Sequence, residues 1–600
     1  MKRRLICLAL SLALMGPALA HEAPAVAATG AAAAAKATTP AWVERSNAFS
    51  QKLLDAEAPF APEFASFFGI PGFDGMVNDM RPGVDERYRK AIAAVRSEYE
   101  RALATEKDPN VQQDLRILIA AIDERIEGNL LNEKHLLPWV DAPQVVFQGM
   151  HVLLRDQVPE ERRAKALERL RRYAGLEPDS EPYTELARAH FESRLGTPGR
   201  LPPTRLEVER GLQSVDAYLS GIKAMLAQYK LEDEEAIAAI EQQLKDYAEW
   251  TRKEVLPMAR EDYRLPPELY AFRLKEVGVD ASPETLMQRA QLAFMEIRAN
   301  MQQIAPLVAA KHGIDSTDYR DVIRALKAKR IPDEQVETSY REVIDQIDRI
   351  IAENRIVDVP KLPMQMRLGS EAESAAQPAP HYLPPPLIGN TGQQGTFVLP
   401  MGNPGGEGEE SERYDDFNFE AVRWTLSAHE GRPGHDLQFV AMVERGIPLA
   451  RSLYAFNSVN VEGWALYAEA EMVPYEPLEG QLIALQFRLM RAARAMLDPM
   501  LNLGLIDREA AGRILTEEVV LSPPMARQEL DRYTFTAPGQ ATAYFHGYTK
   551  IMELRMRTEL ALGDKFDRLA FNNFLLDQGM LPPDQLAKAV ESEFIPRYRK

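Results

Sequence analysis

Apolar residues recur at helical spacing along most of the chain. From residue 41 to about residue 351 they return every three or four positions with charged residues between them, and this period predicts amphipathic α-helices. A long helix, about 283–311, is predicted to begin after Ser282, because serine caps a helix end and Pro283 suits the first helical position. The pattern therefore predicts a mainly α fold. Beyond residue 417 the same period returns over about 418–431, 461–472, 479–505, 540–562 and 583–594.

One stretch interrupts this pattern. Between residues 357 and 416 proline and glycine become frequent, and a short run, 396–400 (TFVLP), lies among them. This composition predicts loop and strand rather than helix, and it fits either an interdomain linker or a small sheet beside the segment that follows. The chain is divided accordingly into a helical N-terminal lobe, 41–355, and a C-terminal lobe with a small sheet, 356–600.

The first twenty residues, MKRRLICLALSLALMGPALA, have the layout of a secretory signal peptide. Basic residues precede twelve largely apolar ones, and small residues mark a cleavage point near Ala20. A membrane anchor is the alternative, although twelve apolar residues are too few to cross a bilayer of about 30 Å as a helix. Residues 21–40 are rich in alanine and predict a flexible tether. We expect a periplasmic or secreted protein without a membrane span.

Charge and cysteine content narrow the range of functions. The 600 residues include 71 Lys and Arg against 89 Asp and Glu, a net charge of −18, and such a chain lacks the positive surface that nucleic acid requires. The single cysteine, Cys7, lies in the predicted signal peptide, so the mature chain would have neither a catalytic thiolate nor a disulfide. The sequence also has no G-x-S-x-G elbow, Walker A loop or CxxC pair.

Candidate chemistry begins in the segment SAHEGRPGH, where His429 is followed directly by Glu430 and later by His435. In the HExxH arrangement two histidines four residues apart share a helix face and bind Zn²⁺, while the glutamate activates water. Here the spacing is six, which in a regular helix turns the second histidine about 120° away from the first. Pro433 and Gly434 must disturb such a helix, and a bulge of two extra residues would return His435 to the face of His429.

A zinc site for hydrolysis needs a third protein ligand. Glu462 lies 27 residues beyond His435 in an apolar helical segment and is the strongest candidate. Glu469 lies seven residues further on, almost two turns, and so shares the same face. The two acids suggest one metal ligand and one carboxylate that orients a histidine. A solvated acidic helix edge is the other interpretation of this pair.

Four segments, taken in order, carry a resemblance to a known family. They are HEGRPGHDLQ at 429–438, EGWALYAE at 462–469, RAARAMLDPMLN at 491–502 and RYTFTAPGQATAYFHGYTKIMELR at 532–555. Together they resemble the bacterial proteins of domain of unknown function 885, a family similar to the gluzincin zinc peptidases. Weaker similarity extends through most of the mature chain. Met500 and Asn502 stand where the family usually has glycine and histidine.

The resemblance implies a large, two-lobed, mainly helical metallopeptidase scaffold. It implies that His429, His435 and Glu462 bind one Zn²⁺ per chain and that Glu430 is the general base. Hydrolysis also creates an oxyanion that hydrogen-bond donors must stabilise. The candidates for this role are Tyr544 in first place, followed by His546, Tyr548 and Arg532.

The short apolar run before the metal-binding segment suggests a way to hold a substrate. An edge strand there would pair with the extended backbone of a peptide. Thr396, Phe397 and Val398 are therefore the predicted substrate-binding residues.

The leading interpretation is a secreted zinc peptidase that acts on peptides or oligopeptides. A metal-dependent amidase acting on another amide, such as a cell-wall fragment, is the alternative within the hydrolases. A catalytically silent binding protein on the same fold is the alternative outside them, although it would have little need for Glu430. The sequence gives no indication of the oligomeric state.

Overall fold

Helices make up most of the described structure, which in this computed structural model comprises residues 39–377, 379–403 and 412–599. The predicted signal peptide and residues 21–38 of the predicted tether lie outside these ranges. The helices that precede the sheet are α1 (Ala41–Glu57), α2 (Pro62–Phe67), α3 (Val84–Leu103), α4 (Pro109–His135), α5 (Ala142–His151), α6 (Glu160–Arg163), α7 (Lys165–Tyr173), α8 (Tyr183–Glu192), α9 (Arg205–Gln213), α10 (Val215–Gln228), α11 (Glu234–Trp250), α12 (Pro267–Glu276), α13 (Pro283–His312), α14 (Tyr319–Lys327) and α15 (Asp333–Glu353).

Short strands and one helix follow, and then a second group of helices. The strands are β1 (Gln365–Leu368), β2 (His381–Leu383), β3 (Thr396–Leu399), β4 (Gly402–Asn403) and β5 (Glu412–Arg413), with α16 (Glu371–Ala376) between β1 and β2. The later helices are α17 (Val422–Glu430), α18 (His435–Arg445), α19 (Ser458–Met472), α20 (Leu478–Asn502), α21 (Arg508–Arg513), α22 (Pro523–Asp531), α23 (Thr542–Leu562), α24 (Arg568–Asp577), α25 (Pro583–Ala589) and α26 (Ile595–Arg599). The predicted mainly α fold is confirmed.

The long helix α13 shows how the sequence pattern becomes packing. The Ser282 hydroxyl accepts a hydrogen bond from the Thr285 N–H at 3.2 Å and caps the helix start. At the other end Gly313 adopts a positive φ of 64°, a conformation that glycine tolerates without steric cost. The buried face of α13 packs along α20. The first half of the chain thus supports α20, a helix that borders the candidate site. That buried face includes Leu286, Ala290, Phe294, Ile297 and Met301.

The small sheet has the order β1-β3-β2, with β1 parallel and β2 antiparallel to β3. Phe397 of β3 is paired with Met366 on one side and Tyr382 on the other, so β3 is the central strand. The prediction that Thr396, Phe397 and Val398 form an edge strand for a peptide is therefore wrong. A run without polar alternation is typical of a strand that is buried on both faces, and the Phe397 and Val398 side chains are 0% exposed.

The hydrophobic core consists of several clusters that connect distant parts of the sequence. Two large clusters contain residues from both sides of position 355, the predicted boundary between the lobes. A third cluster is built from residues between Met80 and Ala372. The division into two lobes stays a prediction. Within the described ranges, none of the helices combines the length and the apolar character that a membrane crossing requires.

Candidate metal centre

The two candidate histidines lie on either side of a break between helices. Helix α17 ends at Glu430 and α18 begins at His435. A Cβ atom at position 434 would lie 2.0 Å from the His429 carbonyl oxygen, so the chain can fold back this tightly only with Gly434. The predicted convergence of the histidines is confirmed, but a complete break in the helix produces it instead of a two-residue bulge.

Three buried side chains converge at this break. The Nε2 atoms of His429 and His435 lie 3.5 and 3.4 Å from the same oxygen, Oε2 of Glu462, and one ligand atom from each residue lies within 4.8 Å of the others. Zinc bound tetrahedrally at about 2.0–2.1 Å holds its donors about 3.3 Å apart. Oε2 of Glu462 is buried and has no hydrogen-bond partner among the described residues. The residues therefore fit a zinc ion.

Glu469 holds His429 in the orientation that a metal ligand needs. Its Oε1 atom lies 2.7 Å from Nδ1 of His429 and accepts from Nη2 of Arg491 at 3.2 Å, while its Oε2 accepts from the Thr425 hydroxyl at 2.8 Å. Because Nδ1 faces Glu469, Nε2 is the ring nitrogen that would bind a metal ion. Glu469 is 1% exposed, so the interpretation of these acids as a solvated helix edge is wrong.

Electrostatics at the centre favour a cation. Burial raises the pKa of Glu462, but the two imidazoles outweigh this effect and hold it well below its usual range. The pKa of Glu469 is also lowered, because Arg491 and His429 outweigh its burial. Burial lowers the pKa of His429, yet Glu462 and Glu469 overcome this and raise it to about 9. Two ionised carboxylates thus face the imidazoles in a dry environment, where a metal ion would balance their charge.

Glu430 lies directly beside the ligands and is 5% exposed. Its burial raises the pKa of the carboxyl group, against the opposing charge of His429 and His435. A carboxylate with a raised pKa is a stronger proton acceptor near neutral pH. The position and environment of Glu430 suit a general base.

Tyr544 lies against this centre, and Arg532 contacts Tyr544. The Tyr544 ring stacks against His429 with ring centroids 6.3 Å apart. Nη1 of Arg532 donates a hydrogen bond to the Tyr544 hydroxyl at 3.4 Å. Burial and the negative charge of Glu462 raise the pKa of Tyr544, so its hydroxyl keeps the proton that it would donate to an oxyanion. Arg532 belongs to a π-helical segment, Arg532–Thr536, that leads towards α23.

The structure places the other two candidates of α23 differently. His546 is two residues, or about 200°, around the helix from Tyr544, and its Nε2 lies 2.6 Å from Oδ1 of Asp280. Tyr548 lies one turn beyond Tyr544, with the Arg488 guanidinium 5.0 Å from its ring centroid. Of the four oxyanion candidates, the structure thus brings Tyr544 to the ligand His429 and Arg532 to the Tyr544 hydroxyl.

Two arginines of α20 belong to the site and were missed as functional residues. Arg491 binds Glu469, and its Nε and Nη1 atoms are buried without partners in the described residues. Arg494 lies 4.4 Å from the Tyr544 ring centroid and is held by Glu529 through two contacts of 2.7 Å. A sequence signal existed, because arginines recur at positions 488, 491 and 494, every third residue of a largely apolar helix.

A contact between two glycines brings these helices together. A Cβ atom on Gly463 of α19 would lie 2.5 Å from the carbonyl carbon of Gly547 in α23, and one on Gly547 would lie 2.0 Å from the Val459 oxygen. The two backbones therefore touch directly. This contact sets the distance between Glu462, next to one glycine, and Tyr544, one turn from the other.

Solved structures of other proteins share the fold of this chain. A candidate lipoprotein of Colwellia psychrerythraea has a similar fold, with 17% sequence identity, a TM-score of 0.74, and coverage of 93% of this chain and 99% of that one. A candidate lipoprotein of unknown function from Shewanella oneidensis has 18% identity, a TM-score of 0.69, and coverage of 92% and 100%. No curated protein matches the chain. The family described as bacterial protein of unknown function (DUF885) matches residues 62–590, and the chain therefore belongs to this family.

Proposed function

We propose that the protein is a zinc-dependent peptidase with a site similar to that of the gluzincin peptidases. The observation that carries this proposal is the convergence of His429, His435 and Glu462 around one point, with the buried carboxyl of Glu430 beside them. We also propose that it acts outside the cytoplasm. The layout of residues 1–20 and the description of both similar structures as candidate lipoproteins support this location.

Each residue has a role that follows from its position. His429, His435 and Glu462 would hold the ion, and Glu469 fixes the ring of His429 through Nδ1. When bound, zinc would supply Lewis acidity that polarises the substrate carbonyl and makes water more acidic.

Glu430 would accept a proton from the attacking water and deliver it to the amide nitrogen. The C–N bond then breaks, and the products are a carboxylate and an amine. The Tyr544 hydroxyl and the Arg532 guanidinium would donate hydrogen bonds to the oxyanion that forms on the carbonyl oxygen. The free Nε and Nη1 atoms of Arg491 offer a further positive group for this charge.

Glu430 also favours a hydrolase over a catalytically silent binding protein. A binding protein gains nothing from a carboxyl group that is buried beside the ligands and has no ion pair among the described residues, because burial of such a group costs stability. A hydrolase needs that group to move a proton.

Two measurements test the proposal. Metal analysis of the purified wild type should find about one zinc per chain, and His429→Ala should lose it. Digestion of a peptide library should be lowered about 10²-fold or more by Glu430→Gln, with zinc content retained. Glu444→Gln is a control, because Glu444 accepts backbone hydrogen bonds from Lys361 and Leu362 instead of facing the centre. Equal zinc in wild type and His429→Ala, or equal cleavage by wild type and Glu430→Gln, would contradict it.

A further inference from the structure

A large cleft with aromatic walls lies beside the candidate metal centre. The space between its walls, counted together with the open solvent at its mouth, is about 930 Å³. Its apolar lining includes residues from the first helices as well as from the motif-bearing half of the chain. These residues include Phe64, Phe67, Phe68, Leu387, Phe439 and Phe456.

The cleft reaches both helices that carry metal ligands. Phe439 lies one turn after His435 on α18, and Ser458 lies one turn before Glu462 on α19. Four residues of helix correspond to about 6 Å along its axis. A peptide whose carbonyl group lies at the metal centre would therefore have a neighbouring side chain or its amino terminus within reach of the cleft.

Two acids, Glu276 and Glu124, line the cleft. Glu276 binds Arg273 through Oε2 at 3.0 Å, but its Oε1 is buried and has no hydrogen-bond partner among the residues that the structure describes. Its side chain is 5% exposed. Glu124 of α4 has no hydrogen-bond or ion-pair partner in the described parts of the chain. Burial and the charge of Glu276 raise the pKa of Glu124 to about 7.

Arg125, a cation among the described lining residues, has a carboxylate partner of its own. Nε of Arg125 lies 3.0 Å from Oε1 of Glu57, and its guanidinium lies 5.0 Å from the Tyr454 ring centroid. Arg125 is thus balanced by Glu57, and Arg273 balances Glu276. Glu124 remains as an excess negative charge among aromatic side chains, an environment that favours a cation attached to an apolar body.

We propose that this cleft is the subsite that receives a positively charged group of the peptide substrate. The group is either the amino terminus or the side chain of lysine or arginine. Its charge would lie between Glu124 and Glu276, and its apolar part would pack against Phe67 and Phe439. This inference rests on the proposed peptidase function.

Matched substrates test the inference through kcat/KM. One pair compares lysine with norleucine, which lacks the amine, and a second pair compares a free with an acetylated amino terminus. We expect wild type to prefer the cationic member of one pair by about tenfold or more, as the loss of one charged hydrogen bond implies, and Glu124→Gln to lower this ratio below about threefold. Asp123→Asn is the control, since Asp123 is exposed and binds Arg96. An unchanged ratio in Glu124→Gln, or no preference in wild type for either pair, would overturn the inference.

A binding measurement separates failure of the subsite from failure of the peptidase function. Hexylamine and hexanol are titrated calorimetrically into the full-length protein, about one pH unit above the pKa of Glu124. Hexylamine should bind about tenfold more tightly than hexanol to wild type and Asp123→Asn, and this difference should disappear in Glu124→Gln. Equal binding of the two probes by wild type would refute the subsite even if peptides are cleaved. Selective binding without cleavage of any peptide would support the subsite and refute the peptidase function.

Discussion

Glutamine in place of Glu469 should weaken zinc binding while leaving every proposed metal ligand in place. The Glu469 carboxylate faces three groups, Nδ1 of His429, Nη2 of Arg491 and the Thr425 hydroxyl, at 2.7, 3.2 and 2.8 Å. Glutamine has nearly the same shape but no charge, and its amide nitrogen cannot accept a hydrogen bond. Loss of such an orienting carboxylate lowers metal affinity about 10- to 100-fold, which corresponds to about 1.4–2.7 kcal/mol.

The assay is a competition titration of zinc against a chromophoric chelator at fixed pH. Glu471→Gln provides the control, since Glu471 is also a buried acid of α19 but binds Arg555 and lies 3.6 Å from Arg568. We expect the control to retain the wild-type zinc affinity. Zinc affinity of Glu469→Gln within about threefold of wild type, with an unchanged circular dichroism spectrum, would refute the role given to this carboxylate.

Three further changes test other parts of the structure. Gly547→Ala places a Cβ atom 2.0 Å from the Val459 oxygen, so the two helices must separate by about 1 Å. As a result, kcat/KM for peptide cleavage should fall about 10²-fold. A variant with the wild-type kcat/KM would contradict this prediction. Tyr544→Phe should lower kcat about 10²-fold, because a hydrogen-bond donor to the oxyanion is lost. Tyr548→Phe should change kcat little. Equal effects of the two changes would argue against Tyr544 as the oxyanion donor. Burial and the charge of Glu469 raise the pKa of Glu476 from its usual 4.5 to about 8. The carboxyl group ionises more readily in the unfolded chain, so the folded protein should lose stability as the pH rises through this interval. Glu476→Gln removes that loss of stability. The Tm of this variant, measured by scanning calorimetry, should therefore exceed the Tm of wild type by an amount that grows between pH 5 and pH 8. A Tm difference that does not change with pH would show that Glu476 is not held neutral.

Helices could be predicted because their signal is local. The capped start of α13 and its apolar face follow from neighbouring residues, and the structure confirms both. The order of strands depends on pairings between separate segments. The run from Thr396 to Leu399 therefore indicated a strand, but nothing in it showed that β1 and β2 would occupy both of its edges.

The candidate site could likewise be predicted only where its residues lie close together in the sequence. His429, Glu430 and His435 form a local motif, and the spacing of Glu462 and Glu469 on one helix face indicated their shared position. The surroundings of His546 depend on Asp280, 266 positions earlier in the chain, and no spacing within α23 predicts such a partner. The cleft was not predicted either, because its walls come from parts of the sequence that have no pattern in common.

The direct contact between Gly463 and Gly547 has a consequence for motion at the site. Side chains that separate two helices can change rotamer, and the helices can then shift within microseconds to milliseconds. Here no side chain lies between α19 and α23 at the contact, since backbone atoms meet there. The two helices should therefore move as one rigid body. Glu462 and Tyr544 would therefore keep their separation during thermal fluctuations.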